Sequence, residues 1–398
     1  MRIGIDARFF GPVGHGGLGR YTTELIRALE KVDTENEYVV FLRRENFDEY
    51  VPASRRFRKV LADFRWYSCA EQIFFPFVLL RERCDLVHFP HFNVPLLYRR
   101  PFVVTVHDLI LLRFPTLRAT TLSPLLYRLK FLAYRIVIRD AVLSSRAVIT
   151  ISKYAKRDIL DHYGISSEKI SVTYEAARPF CFFMPADRSW RFFASLNLLS
   201  KEASGGKSSL HDILKPYALY VGNAYPHKNL ESLLTAFDRL RDVSARLVLV
   251  GGDDYFYRRI RAYAKRYAMD RVIFAGAVSD EQLDVLYRYA RVSVFPSLYE
   301  GFGLPPLEAM AKGSPVLAAR ATAFPEVLGD AAQFFDPEDP LDLYRALRSI
   351  WRDTSLRELL RYRGFVRATS FSWEGMGRET LSVYRKFRMS AKGKGVSF

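Results

Sequence analysis

The sequence is poor in cysteine and in long apolar runs. Its 398 residues include three cysteines, Cys69, Cys84 and Cys181, an odd number without the spacing of metal ligands. This excludes a disulfide-rich secreted fold and predicts buried thiols in a reducing compartment. No apolar run approaches the roughly 20 residues that cross a bilayer. The first residues are typical of a strand and not of a signal peptide, so we expect a cytoplasmic protein.

Acidic residues are also scarce relative to basic ones. The chain has 60 Lys and Arg against 43 Asp and Glu, a formal net charge of +17. A nucleic acid, an acidic membrane surface or a phosphate-bearing small molecule would suit this charge. Because no nucleic-acid-binding motif is present, we expect no nucleic-acid partner.

The basic charge is uneven, with a net +10 in residues 51–150. Within a predicted helix over residues 122–139, Arg128, Arg135 and Arg139 fall on one stripe beside apolar residues. Such a helix can lie on an anionic bilayer, which would make the protein peripheral on the inner face of the plasma membrane. The alternative is a core helix with solvated arginines.

The alternation of strands and helices predicts the fold class. The length is about twice what one core supports, which indicates two domains. Near-continuous apolar strands alternate with amphipathic helices in both halves, so we predict two doubly wound α/β domains with parallel sheets. The predicted strands are residues 2–9, 38–42, 85–89, 102–107 and 147–152, then 217–222, 246–251, 272–275, 292–296 and 315–319.

This alternation breaks between residues 180 and 216, where an aromatic stretch precedes a Gly/Ser-rich one. A linker or insertion over residues 183–215 is therefore expected. The predicted first domain comprises residues 1–182 together with 377–398. Residues 216–376 form the predicted second domain.

A glycine-rich loop follows the first predicted strand. Gly14, Gly16 and Gly19 form a G-x-G-x-x-G pattern before a helix. Glycines there allow backbone N–H groups to approach a diphosphate, although a plain turn is the alternative. Arg43 and Arg44 follow the second strand, where an NAD site would have an acidic residue. An NADP-dependent oxidoreductase therefore stays open as the alternative function.

Two further motifs lie at the carboxyl ends of strands, where doubly wound sheets bind ligands. His107 and Asp108 end an apolar strand and are expected to point into a cleft between the domains. The alternative for His107 is helix capping or a bond to a buried carbonyl. Lys228 follows the first strand of the second half, near a helix N-terminus, where an ammonium pairs well with phosphate. The alternative for Lys228 is a solvated surface position.

The most informative motif surrounds two glutamates. Glu300 ends a strand, a Gly-Phe-Gly turn follows, and Glu308 lies on the next helix behind two prolines. The turn could hold a phosphate on its N–H groups while a carboxylate accepts hydrogen bonds from a ribose diol. A charge-assisted hydrogen bond of this kind contributes roughly 1.5–3 kcal/mol. Together the motifs predict a nucleotide-diphosphate site.

The sequence here resembles a known family. Residues 297–303, the Glu300/Glu308 pair and residues 325–327 resemble the family 4 retaining glycosyltransferases of GT-B fold, and the resemblance spans residues 16–373. It implies two Rossmann-like domains facing a central cleft, with a final helix near residues 377–387 that returns to the first domain. Residues 107–109 and 226–229 resemble a subset of mannosyltransferases that use GDP-mannose.

The resemblance also implies roles for individual residues. Gly16 and Gly17 would line the donor diphosphate, and Lys228 would neutralise its charge. His107 would border the reacting sugar, with Asp108 on the same acceptor side. The other implied donor contacts are Asn223, Val278 (nucleobase, through backbone atoms), Glu300 (hydroxyls of the transferred sugar), Gly301, Phe302, Gly303, Leu304 and Glu308 (ribose). Asn223 departs from the family pattern, because many members have an arginine there that supplies a second cation.

The expected catalytic residues are thus His107, Lys228 and Glu300. No side chain is placed as a nucleophile, which favours front-face substitution with retention of configuration. We expect neither a metal nor another cofactor, because fixed donors already neutralise the phosphates. The acidic pair Asp253 and Asp254 is expected to cap a helix instead. The expected partners are a nucleotide-diphosphate sugar and a glycan or lipid-linked acceptor of cell-surface polysaccharide or glycolipid assembly.

Overall fold

The computed structural model describes residues 1–11, 16–115, 123–178, 184–200 and 210–392. Contacts divide the chain into two compact units. The first unit contains the chain up to Glu175 and the segment from Ser372 onward, and the second contains Ala176–Phe371.

The strands are short and mostly buried. They are β1 (Arg2–Asp6), β2 (Glu37–Leu42), β3 (Phe57–Leu61), β4 (Leu86–Phe89), β5 (Phe102–Thr105), β6 (Ala147–Thr150), β7 (Ile170–Val172), β8 (Tyr217–Val221), β9 (Arg246–Val250), β10 (Val272–Gly276), β11 (Val292–Phe295), β12 (Val316–Ala319) and β13 (Ala332–Phe335).

Helices lie between most successive strands and follow the last one. They are α1 (Gly16–Val32), α2 (Cys69–Arg81), α3 (Ile110–Arg113), α4 (Pro124–Ser144), α5 (Lys153–Tyr163), α6 (Ala186–Ser195), α7 (Leu210–Ile213), α8 (Leu230–Asp238), α9 (Tyr255–Arg266), α10 (Asp280–Tyr289), α11 (Leu304–Ala311), α12 (Phe324–Leu328), α13 (Pro340–Arg352), α14 (Thr354–Thr369) and α15 (Trp373–Lys392).

Both units are doubly wound parallel sheets. The first has the strand order β3-β2-β1-β4-β5-β6-β7, and the second has the order β10-β9-β8-β11-β12-β13. Every strand pair in them is parallel. The strand order reverses between β1 and β4 and again between β8 and β11, and ligands of such sheets bind beyond the carboxyl ends of the strands at these switch points. The predicted fold class is confirmed.

The last helix packs in the first unit, as expected. Helix α15 lies against α1, and a side chain added at Gly377 would place its Cβ 2.8 Å from the Cβ of Ala28. The two helix backbones therefore approach closely at this crossing. Two turns further along α15, the Tyr384 hydroxyl lies 2.6 Å from Nδ1 of His88 on β4.

The segment expected to be a linker is ordered in part. Residues 186–195 form α6, which packs against α10, and Phe193 is fully buried against Tyr217 and Tyr289. The aromatic stretch thus belongs to the second unit because its rings complete that core. The chain returns to the first unit at Ser372, five residues before the predicted boundary at 377. The Gly/Ser stretch at 201–209 lies outside the described residues.

Some smaller expectations need correction. Cys69 is exposed and Cys84 is half-buried, so the thiols are not uniformly buried, and Cys181 lies outside the described residues.

Asp254 caps α9 as expected, because its carboxylate accepts from the N–H groups of Phe256 and Tyr257. Over the described residues, no helix has the length and apolar character to cross a membrane.

Candidate active site

A lysine and a glutamate meet at the switch point of the second unit. Lys228 lies after β8 and Glu300 after β11, and the Lys228 Nζ is 2.5 Å from the Glu300 Oε1. Their side chains are 15% and 19% exposed, so the ion pair is largely shielded from water. A backbone bond of 2.8 Å from Leu298 N–H to the His227 carbonyl ties the two loops together. The adjacency of β8 and β11 brings this pair into contact.

The histidine next to Lys228 in this loop is uncharged. Burial and the charge of Lys228 lower the pKa of the neighbouring His227 while Glu300 opposes both, and the resulting pKa is about 4. His227 is therefore neutral at physiological pH.

A threonine supports the Glu300 loop. The Thr322 hydroxyl accepts a 2.9 Å hydrogen bond from the Glu300 N–H. Thr322 follows β12 and has a φ of +51°, in the left-handed region that β-branched residues avoid. Such a conformation costs about 1–3 kcal/mol and is often found at functional sites. Sequence analysis missed Thr322, because its distance from Glu300 along the chain gives no signal.

The turn after Glu300 has the conformation that its glycines allow. Gly303 has a φ of +106°, and a Cβ there would lie 2.6 Å from the Phe324 ring, so only glycine fits. The turn ends where α11 begins at Leu304, with prolines in its first turn. Phe302 is buried and contacts Phe371 edge-on at 5.7 Å, so its side chain is part of the core. Gly301 is also buried.

The remaining predicted donor contacts lie on the same unit. Asn223 is exposed on the loop after β8, where its side-chain Oδ1 accepts from the Tyr225 N–H at 3.3 Å. Val278 is half-buried beyond β10, which is separated from β8 by β9. Glu308 is buried on α11. The structure places these residues without assigning them a ligand, so their roles stay predictions.

In the first unit, Gly16 and Gly17 begin α1 and are exposed. A Cβ on either would meet nothing within 4 Å, and Gly16 has a φ of +53°. Packing against the described residues therefore does not require glycine at either position. Gly14 lies outside the described residues.

His107 follows β5 and is held by two acceptors. Its Nε2 donates to the Pro90 carbonyl at 2.9 Å, and its Nδ1 lies 3.7 Å from Oε1 of Glu175. The ring also contacts Tyr21 edge-on at 4.6 Å. Burial alone would lower the pKa of His107. The hydrogen bond to Glu175, the charge of Glu175, the bond to the Pro90 carbonyl and the charge of Asp108 together outweigh burial and raise this pKa. The imidazolium form is thus stabilised.

The carboxylate that pairs with His107 is not Asp108, its neighbour in the sequence. Asp108 accepts a 2.9 Å bond from the Ile110 N–H, which caps the turn into α3. Glu175 provides the ion pair instead. Sequence analysis missed Glu175 because it missed β7, the strand that precedes it. A carboxylate just past a strand end would have been the signal.

A chain of buried polar groups supports this side of the first unit. His88 bridges the Tyr384 hydroxyl at 2.6 Å and the Thr105 hydroxyl at 2.8 Å, and Thr105 contacts the Tyr21 hydroxyl at 3.1 Å. Burial, with the charge of His107, lowers the pKa of His88 to about 3, so His88 is neutral. The chain ties α15 and α1 to the strands behind His107. Among the described residues, no three His, Cys, Asp or Glu side chains cluster as metal ligands would.

Comparisons with known proteins agree with this architecture. A family model described as Glycosyltransferase Family 4 matches residues 15–176, and one described as Glycosyl transferases group 1 matches residues 207–367. The chain is 28% identical over 396 residues to the O-antigen chain mannosyltransferase B of Escherichia coli, covering 93% of this chain and 96% of that protein.

Solved structures show the same fold. The sucrose-phosphate synthase of Thermosynechococcus elongatus superposes with a TM-score of 0.76 at 21% identity, covering 98% of this chain and 99% of that one. Anabaena HepE in complex with UDP and glucose superposes with a TM-score of 0.71 at 16% identity, covering 97% and 100%. The fold is therefore that of the GT-B glycosyltransferases.

The chain belongs to the family 4 glycosyltransferases. It is a glycosyltransferase related to mannosyltransferases, which confirms the resemblance found in the sequence. The NADP-dependent oxidoreductase alternative has no support among these similarities.

Proposed function

We propose that this glycosyltransferase moves a mannosyl group from GDP-mannose, with retention of configuration, to a glycan or lipid-linked acceptor in cell-surface polysaccharide or glycolipid assembly. The name of the Escherichia coli relative supports mannose as the sugar. The observation that carries the proposal is the shielded Lys228–Glu300 pair at the β8/β11 switch point.

The pair suits transfer from a nucleotide diphosphate. When the bond from C1 of the sugar to the diphosphate oxygen breaks, its electron pair stays on the diphosphate. Lys228 and the backbone N–H groups at the start of α11 stabilise that charge. Glu300, released from Lys228 as the phosphates bind, accepts hydrogen bonds from sugar hydroxyls.

The acceptor attacks on the face that the diphosphate leaves. Its hydroxyl oxygen bonds to C1, and its proton passes to the departing diphosphate oxygen, so the configuration is retained. His107 contacts the transferred sugar in this scheme, while Asn223 and Glu308 contact the nucleotide. The positive charges already named make a resident metal unnecessary, so we expect turnover to survive EDTA.

A panel of nucleotide sugars tests this function. We expect GDP to raise the melting temperature more than UDP or NADP, and GDP-mannose to be hydrolysed fastest. Proton NMR of the first mannosyl product should show the anomeric configuration of the donor. Stabilisation by NADP alone, or an inverted product, would contradict the proposal.

We also propose that α4 contacts an anionic membrane surface at the inner face of the plasma membrane. The helix buries Ile138, Ala141 and Val142 on one side. The opposite side exposes an apolar stripe with arginines along one edge: Leu125, Leu129, Leu132, Ile136 and Leu143, beside Arg128, Arg135 and Arg139. This pattern matches a helix that inserts leucines among acyl chains while arginines bind lipid phosphates.

Vesicle sedimentation tests the membrane contact. The full chain should bind phosphatidylcholine vesicles only when they contain phosphatidylglycerol, and salt should weaken the binding. Exchanging Leu129 and Leu132 for serine should abolish it. Exchanging the exposed Phe365 of α14 for serine is the matched control and should have no effect. Equal binding by both variants would contradict the assignment to α4.

A further inference from the structure

Tyr67 presents an exposed ring from a strained backbone. It lies in the loop between β3 and α2, is 67% exposed and has a φ of +59°. A bulky L-residue adopts this left-handed conformation only where its surroundings hold it there, and such strain is concentrated at functional sites. The proposed chemistry of Lys228 and Glu300 makes no use of Tyr67.

A buried polar network holds this backbone in place. The Tyr67 N–H donates to Oε2 of Glu71 at 2.7 Å. The other oxygen of Glu71 accepts from Arg8 at 2.6 Å and from the Asn93 side chain at 2.7 Å. Arg8 also makes two 2.8 Å bonds to the Asp6 carboxylate. Arg8 and Glu71 are completely buried, and a fully satisfied buried network of this kind fixes the groups that it joins.

The network lies at the switch point of the first sheet. Asp6 ends β1, and Asn93 follows β4, the neighbouring strand at which the strand order reverses. Doubly wound sheets bind ligands at this position. The exposed ring is therefore held where a ligand is expected.

Other aromatic rings support the same surface. Phe9, just past β1, stacks on Trp66 with ring centres 4.4 Å apart, and the Arg43 guanidinium lies 4.5 Å from the Trp66 ring. His91, past β4, lies 5.4 Å from Phe9 and 6.3 Å from Tyr67 between ring centres.

His91 adds a hydrogen-bond donor beside these rings. Its Nδ1 accepts from the Asn93 N–H at 3.4 Å. Burial, together with the charges of His107 and Arg8, lowers the pKa of His91 to about 3. The ring is therefore neutral, and its single proton lies on Nε2.

We propose that Tyr67 and His91 form a binding subsite for a pyranose ring of the acceptor. A pyranose has a C–H face, which stacks on an aromatic ring, and a rim of hydroxyls, one of which accepts from the His91 Nε2–H. The inference rests on the proposed glycosyl transfer and adds to it the residues that hold a sugar ring of the acceptor. The subsite adjoins His107, whose Nε2 bonds to the carbonyl of Pro90, the residue before His91.

Saturation-transfer NMR tests the subsite on the full chain. The probes are the methyl α-pyranosides of mannose, glucose, galactose and N-acetylglucosamine. Wild type and Tyr67→Phe should both bind at least one of them. Tyr67→Gly should weaken that binding about tenfold, the loss expected for one aromatic contact. Because glycine suits a φ of +59°, this variant should melt no lower than wild type.

A control substitution and two possible outcomes distinguish a binding role for Tyr67 from a purely structural one. Tyr362→Ala removes an exposed ring of α14 and should leave pyranoside binding unchanged. A Tyr67→Gly variant that melts lower but binds pyranosides normally would show that Tyr67 only covers the network, and would overturn the proposal. Failure of wild type to bind any probe would also overturn it.

Donor hydrolysis distinguishes this inference from the proposed function. Wild type and Tyr362→Ala should hydrolyse GDP-mannose in water at rates within about twofold of each other, because Tyr362 belongs to neither proposed site. If no nucleotide sugar is hydrolysed by any variant, the proposed transfer fails, whereas pyranoside binding still reports on the subsite.

Discussion

Lys228 and Glu300 lie 72 residues apart in the sequence, yet their charged atoms are 2.5 Å apart. The contact arises because β8 and β11 are neighbours in the sheet although two strands intervene in the chain. In the absence of a donor each side chain neutralises the other. In the proposed function, an incoming diphosphate would compete with Glu300 for Lys228, so that phosphate binding would release a carboxylate for the sugar.

Substitutions of this pair should separate catalysis from folding. Lys228→Met and Glu300→Gln should each lower kcat by about 10²–10³-fold, the effect of losing one group that stabilises transition-state charge. Replacing either side chain with alanine should abolish transfer without unfolding the protein. Near-normal turnover by both alanine variants would refute the site assignment.

The double variant of Lys228→Met and Glu300→Gln tests the ion pair itself. Each single variant leaves a largely shielded charge without its partner, and the double variant removes both charges. Urea unfolding should therefore give a coupling free energy of about 0.5–3 kcal/mol, with the double variant more stable than the two single losses predict. Strict additivity would show that the pair does not form in solution.

We expect the Thr322 hydroxyl to support activity by holding the Glu300 backbone in place. Thr322→Ser keeps the acceptor for the Glu300 N–H and should keep most activity. Thr322→Gly relieves the left-handed strain but loses that acceptor, so kcat should fall about tenfold while stability stays level or rises. Equal activity of the two variants would contradict a positioning role.

The pH dependence of stability should report the His107–Glu175 ion pair. Folding raises the pKa of His107, so the pair contributes stability that is fully present below the unfolded value of about 6.5 and is lost as pH rises through the folded pKa. Glu175→Gln should remove this contribution. Wild type should therefore exceed the variant in unfolding free energy at acidic pH, and the difference should shrink as pH rises.

The same substitution should shift the His107 titration seen by NMR. Asp108 remains beside the ring in the variant, His88 and His91 are neutral neighbours, and Tyr21 meets the ring edge-on. A pKa that does not fall in Glu175→Gln would mean that Asp108 and the Pro90 carbonyl suffice. His107→Gln, which has no titrating ring, is the reference for the stability curve.

The contact between α1 and α15 should reverse the usual effect of a glycine substitution. Alanine is favoured over glycine inside a helix by about 1 kcal/mol. At Gly377, however, the new Cβ would lie 2.8 Å from Ala28, so Gly377→Ala should destabilise the protein by about 1–3 kcal/mol. Ser382→Ala, at an exposed position of α15, should be neutral or stabilising in the same urea titration.

The three strands that sequence analysis missed share a position in the sheets, although the remaining edge strand, the more apolar β10, was found. All ten predicted strands exist, most of them shortened by a residue or more at their carboxyl ends. The missed strands, β3, β7 and β13, are all at sheet edges. An edge strand packs on fewer neighbours, so its sequence can be polar, as in β3, or short, as in β7. Its apolar pattern is then too weak to recognise.

The sequence by itself determined the fold class and the residues at the strand ends, because burial on both faces of a parallel sheet imposes continuous apolar runs. Its motifs around Glu300 and Glu308 carried the resemblance to the family. It could not show which of those residues touch. Glu175, Thr322 and the strained Tyr67 became visible only in three dimensions. The partners of Glu175 and Thr322, and the Arg8 and Asn93 side chains that hold Glu71 beneath Tyr67, are brought near by the order of strands in the sheet. Strand order is a long-range property that local spacing does not reveal.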